Sequence, residues 1–149
     1  MGVLKMDEPV VTVISGSKSD NEIVEKVVGV LKEFDVPHTA VVLSAHRNAK
    51  ELDDYLAKTP AKVIIAIAGL AAALPGVCAA KTKKVVIGVP VSSKLGGLDA
   101  LLSIVQMPSG VPVATVGIDN GKNAAHLTIR ILALQQDKLG EKLRKKLES

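Results

Sequence analysis

His46 and Arg47 stand side by side in "VVLSAHRNAK", directly after an apolar run. Imidazole is the side chain whose ordinary titration, near pH ~6.5, falls closest to neutrality. A guanidinium is a permanent cation whose planar fork fits phosphate or carboxylate. Together they offer a proton shuttle beside an anion clamp. Val41, Val42 and Leu43 read as the end of a buried strand, so the pair falls at a strand's carboxyl end, where α/β proteins gather their ligands.

A second polar stretch, "SGSKSDNE" from Ser15 to Glu22, joins an apolar run to a helical pattern. Gly16 permits a tight turn and close approach of backbone to a ligand. Ser17 and Ser19 bring hydroxyls, and the following helix brings free N–H groups and the positive end of its dipole, which suits a phosphate. Neither a Walker lysine nor GxGxxG is present. Asp20 either caps the helix or meets sugar hydroxyls, and plain capping by Ser19 or Asp20 competes with the phosphate reading. The third segment, "AGLAAALPG", runs from Ala68 to Gly76 and has almost no side-chain chemistry. Ala68, Gly69, Ala73 and Leu74 can supply a wall and a helix start against which a flat ligand or small anion lies. His38 and His126 are read as structural, and Cys78, the single cysteine, as a small buried hydrophobe.

Positioning these segments requires alternating strands and helices. "VVTVIS", "HTAVVL", "KVIIAIA", "KVVIGVP" and "VPVATVG" read as five strands. Between and after them come helical patterns. Ile23, Val27 and Leu31 share a face in the first, and Leu52, Tyr55 and Leu56 point inward in the second. Pro75 falls in the first turn of the third, where its missing N–H costs nothing. "GLDALLSIV" makes the fourth. "NAAHLTIRILALQQ" makes the fifth, with Asn120–Gly121 as a turn and Asn123 as its cap. The pattern predicts one α/β domain over residues 1–149: a three-layer α/β/α sandwich around a flavodoxin-like parallel five-stranded sheet, order 2-1-3-4-5, with a C-terminal helix. The loops after strands one, two and three would then line one crevice.

Composition narrows the partners. Apolar residues make up 48% of the chain, yet no run approaches the ~20 needed to span a membrane. Most are small aliphatics, which predicts further surface buried in a homo-oligomer. The formal charge of +4 does not imply nucleic acid, since Lys138, Lys142, Arg144, Lys145 and Lys146 alternate with Asp137, Glu141 and Glu148 around Leu139, Leu143 and Leu147. That is an amphipathic helix with a solvated face, and with one Phe, one Tyr and no Trp, bases have no stacking platform. A lone cysteine excludes an internal disulfide and a zinc site of the usual kind. With no signal-peptide pattern in "MGVLKMDEPVV", it points to a cytoplasmic protein.

Six segments, "GSKSD", "SAHR", "LPG", "GVPV", "GLDALLSIVQMPSGVPVATVGI" and "NAA", occur in an order that resembles the PurE family of purine biosynthesis, from about Val10 to Leu134. "SAHR" and "IVQMP" look like its class I branch, the N5-carboxyaminoimidazole ribonucleotide mutases; the class II branch typically carries Lys after the histidine. The resemblance implies an octamer, no metal or organic cofactor, and a phosphoribosyl-aminoimidazole substrate. It implies Ser17, Ser19, Ser44 and Arg47 around the phosphate, Asp20 on the ribose, and His46 as general acid/base. One departure stands out. The family's third loop usually reads "AAHLPG", and this chain has Ala73 where that histidine falls. The substitution is compatible with an attenuated mutase, a direct carboxylase of the class II type, or a non-catalytic nucleotide-binding paralogue. "SAHRNAK" also has Asn48-Ala49 in place of the more familiar Thr-Pro, a change expected to affect the start of the next helix.

Overall fold

The computed structural model describes residues 8–149; residues 1–7, the start of the stretch read for a signal peptide, lie outside them. The chain alternates β1 (Val11–Ser15), α1 (Asn21–Glu33), β2 (His38–Val42), α2 (Ala49–Lys58), β3 (Val63–Gly69), α3 (Leu74–Lys81), β4 (Val85–Val91), α4 (Leu98–Val105), β5 (Ala114–Thr115), α5 (Gly121–Ala133) and α6 (Lys138–Glu148). All sheet pairings are parallel and the strand order is β2-β1-β3-β4-β5, as the pattern predicted.

Alternation along the strands divides the core in two. Val11, Val13, Ile65, Ile67, Ile87 and Val89 face α1, α5 and α6, whose Val27, Leu31, Ala125, Ile129 and Leu143 are buried against them. Ile14, Ile64, Ala66 and Val86 face α2, α3 and α4 through Leu52, Leu56, Leu74, Cys78 and Ile104. Each large aliphatic buried this way contributes roughly 1.5–3 kcal/mol. Gly88 leaves room for α4 against the sheet: a Cβ there would lie 2.4 Å from Ile104 Cγ2. Cys78 is fully buried, and burial pushes its thiol up to about 12.

Four local expectations need correction. β2 is an edge strand, half-buried at best, with Val42 47% exposed; its branched residues reflect strand propensity rather than two covered faces. β5 shrinks from the expected Val111–Gly117 to two residues, because Pro112 has no N–H to give a ladder and the chain turns through Gly110 at φ +90°. The cap of α5 is Asn120, whose Oδ1 accepts the Asn123 N–H at 3.0 Å, so Asn123 is the capped residue. Asp20, one of the two expected caps, takes the N-cap position of α1, but its side chain makes no cap hydrogen bond. A 3-10 turn, Lys18–Asp20, precedes that helix, and Ser17 caps the turn.

The basic tail does more than face solvent. Arg144 Nη1 donates to the Ala133 and Gln135 carbonyls at the end of α5, and Lys146 Nζ to the Glu33 carbonyl at the end of α1. Cations at helix C-termini satisfy orphan carbonyls and oppose the dipole's negative end. His126 packs edge-on against Phe34 at 6.0 Å, and His38 Nδ1 bonds the Val36 carbonyl at 2.7 Å. Both fit structural roles.

Candidate active site

Parallel pairing brings three strand ends level: Ser15 aligns with Val42 on one side and Ile67 on the other. The ladder continues one residue further through Gly16 N–H to the Ile67 carbonyl (3.1 Å) and Leu43 N–H to the Ser15 carbonyl (2.9 Å). The loops that follow therefore leave the sheet together, and a cleft of about 580 Å³ opens between them. That volume suits a small-molecule ligand.

Ser17, Ser19, Asp20, Ser44, His46, Arg47, Ala68, Gly69, Ala73 and Leu74 all line this cleft. The fold thus brings together every residue the sequence singled out for chemistry. Gly16, Ala45, Leu70, Ala71 and Ala72 complete the three loops. Val91 and Ser93 join them from the end of β4. The sequence reading missed these two by stopping at three strand ends; the same carboxyl-end rule applied to β4 would have found them.

The serine loop is organised from within. Ser17 Oγ accepts the Ser19 N–H at 3.2 Å and lies 2.9 Å from Ser19 Oγ. Burial pushes the Asp20 carboxyl above its ordinary value, partly offset by a hydrogen bond from the Ser17 backbone, and its side chain caps nothing. Gly16 keeps an ordinary negative φ, and a Cβ there would meet only the Ile67 carbonyl, 3.9 Å away. The fold itself does not require glycine at that point.

The histidine loop is closed by Ser44 and Asn48. Ser44 N–H donates to Asn48 Oδ1 (3.1 Å), Asn48 N–H to the Ser44 carbonyl (2.8 Å), and Arg47 N–H to Ser44 Oγ (3.2 Å). Asn48 therefore stands before α2 and also fastens the turn that carries the base. His46 and Arg47 are exposed within the cleft, and the Arg47 guanidinium reaches across to the Gly16 carbonyl at 3.0 Å. Opposite them, the third loop presents aliphatic side chains and the start of α3. Ala73 occupies the N-cap position there with no side-chain cap bond.

The chemistry on offer is one titratable base, one fixed cation, hydroxyl donors, a partly desolvated carboxylate and an apolar wall. Among the described residues no three His, Cys, Asp or Glu side chains cluster to hold a metal ion, and no helix is long and apolar enough to cross a membrane.

A family model described as AIR carboxylase matches residues 10–149. The chain belongs to the AIR carboxylase, or PurE, family. A Methanocaldococcus jannaschii protein named N5-carboxyaminoimidazole ribonucleotide mutase is 56% identical, over 89% of this chain and 85% of its own length. Relatives of the same name from Pyrococcus horikoshii (50% identical, 95% and 82% covered) and Aquifex aeolicus (52%, 91% and 84%) are nearly as similar. The crystal structure of Treponema denticola PurE superimposes with a TM-score of 0.81 at 32% identity, over 95% of this chain and 90% of that one. The five-stranded parallel sheet and its helical layers are thus the PurE architecture.

Proposed function

We propose that the protein converts N5-carboxyaminoimidazole ribonucleotide to 4-carboxyaminoimidazole ribonucleotide, a carboxyl shift in purine biosynthesis. The observation that carries this reading is the convergence of His46, Arg47 and the Ser17–Asp20 loop on one cleft, in a chain whose close relatives bear the mutase name. Ser17, Ser19, Ser44 and Arg47 bind the phosphate, Asp20 takes a ribose hydroxyl, and the aminoimidazole lies against Ala68, Gly69, Ala73 and Leu74.

Protonated His46 gives its proton to the exocyclic nitrogen. The N–C bond then breaks with its electron pair left on nitrogen, freeing carbon dioxide. Ring carbon C4 attacks that carbon dioxide, forming the C–C bond and a C4 centre that still carries its hydrogen. Neutral His46 removes this proton and the ring regains its aromaticity. One base gives and recovers one proton, so the sequence balances with neither ATP nor an external oxidant. An apolar wall suits the neutral intermediate, which must be held from water until C4 captures it.

We further infer a homo-octamer in a cytoplasmic setting. Support comes from the exposed Leu98, Leu102 and Val105 along one face of α4, surface a second copy would cover, and from the lone reduced cysteine. Product analysis tests the catalytic reading. Purified protein should form the C4-carboxylated nucleotide from the N5-carboxylated one without ATP. Faster formation from unsubstituted aminoimidazole ribonucleotide and bicarbonate would reject the mutase in favour of a direct carboxylase.

A further inference from the structure

Among the described residues, four non-glycine positions have positive φ: Asp35, Leu70, Leu95 and Asp119. Aspartate tolerates the left-handed region because its short polar side chain can bond locally, whereas leucine has no such compensation. Leu70 adopts φ +56° immediately after β3, and its side chain is 51% exposed on the lining of the cleft. It joins neither core cluster. A strained backbone, spent on a half-exposed apolar side chain, contributes little to the fold. Strain of this kind gathers where a site needs it.

We propose that Leu70 is the water-excluding lip of the cleft, packing on bound nucleotide so that carbon dioxide freed from nitrogen is captured at C4 before it escapes. The inference rests on the mutase reading and deepens it. The neighbouring wall is built from Ala68, Gly69, Ala71, Ala72 and Ala73, none of which reaches far from its backbone. Leu74, at the far end of the segment, is 2% exposed and packed into the core, so Leu70 is the large apolar side chain there that stands clear to extend over a flat ring. Its role is retention, so its loss should waste carboxyl groups more than it slows their release.

Two substitutions that suit a positive φ separate the side chain from the backbone. Leu70→Gly removes the side chain and relaxes the turn; Leu70→Asn keeps nearly the same shape but is polar. Leu70→Met restores apolar reach. The readout is the ratio of decarboxylated nucleotide to C4-carboxylated product, corrected for spontaneous loss in buffer, together with label entering product from 13C-bicarbonate. Both Gly and Asn variants should raise the ratio at least ~5-fold and admit more label, with melting temperatures at or above the parent's, while Met stays near the parent. A parent that converts substrate while both variants keep its ratio would overturn the assignment of Leu70 and leave the mutase reading standing. A parent that forms no C4 product would overturn both.

Discussion

The Arg47 guanidinium donates to the Gly16 carbonyl at 3.0 Å, bridging the loops that follow β2 and β1. The cation is thereby held over the serine loop, where a phosphate would accept its remaining N–H groups. A lysine ammonium keeps the charge but loses the fork. Hydrogen bonds to charged groups are worth about 1.5–3 kcal/mol, so Arg47→Lys should weaken product-nucleotide binding roughly 10–100-fold with little change in melting temperature. Titration calorimetry and a thermal melt check the two halves of that expectation.

Gly16 offers a sharper test of close backbone approach. Its φ is ordinary and a Cβ would find 3.9 Å of clearance from the Ile67 carbonyl. Gly16→Ala should therefore leave stability unchanged or raise it by up to about 1 kcal/mol through the unfolded state. Nucleotide affinity should fall at least ~10-fold, about 1.4 kcal/mol, if ligand occupies that space. Unchanged affinity would remove Gly16 from the site.

Asp20 predicts a pH dependence with opposite signs in the free and bound protein. Burial raises its carboxyl above the ordinary value, so the neutral form is the one the fold favours. The free protein gains stability from this group as pH falls through the raised folded value and loses it as pH climbs back. Binding runs the other way in the proposed complex, where a ribose hydroxyl would donate to the carboxylate. Affinity should drop as pH falls through that raised value. Asp20→Asn should bind more weakly at neutral pH and lack this component. Subtracting the variant's pH profile from the parent's removes the phosphate's own titration.

Ala73 lines the cleft at the N-cap of α3 and is only half-buried, so a larger side chain has the cleft to occupy. If the missing imidazole limits turnover, Ala73→His should raise kcat at least ~10-fold, within the usual ~10²–10⁴ range for a positioned acid/base. Steady-state kinetics on the N5-carboxylated nucleotide decides it. An unchanged or lower kcat would mean that His46 works unaided in a site already complete.

Much of this site was legible because parallel strands announce themselves. The apolar runs at β1, β3 and β4 are covered on both faces, and the flavodoxin-like order β2-β1-β3 is what makes "SGSKSD", "SAHR" and "AGLAAALPG" neighbours. The departures arise where local chemistry is ambiguous. Val41 and Val42 look alike whether a strand is central or at an edge. Ser17, Ser19, Asp20, Asn120 and Asn123 are all competent caps, and only backbone geometry selects Ser17 and Asn120. The positive φ of Leu70 leaves no trace in sequence, since glycine or asparagine would be its usual marker.

The most direct measurement is kcat for C4-carboxylate formation by the parent and by His46→Asn, with product-nucleotide affinity measured alongside. The side chain is exposed within the cleft and joins neither core cluster, so the variant should fold and bind within about 3-fold of the parent, a difference under ~1 kcal/mol. If one histidine carries the proton both ways, kcat should fall by ~10²–10⁴. Comparable rates in the two proteins would contradict the account.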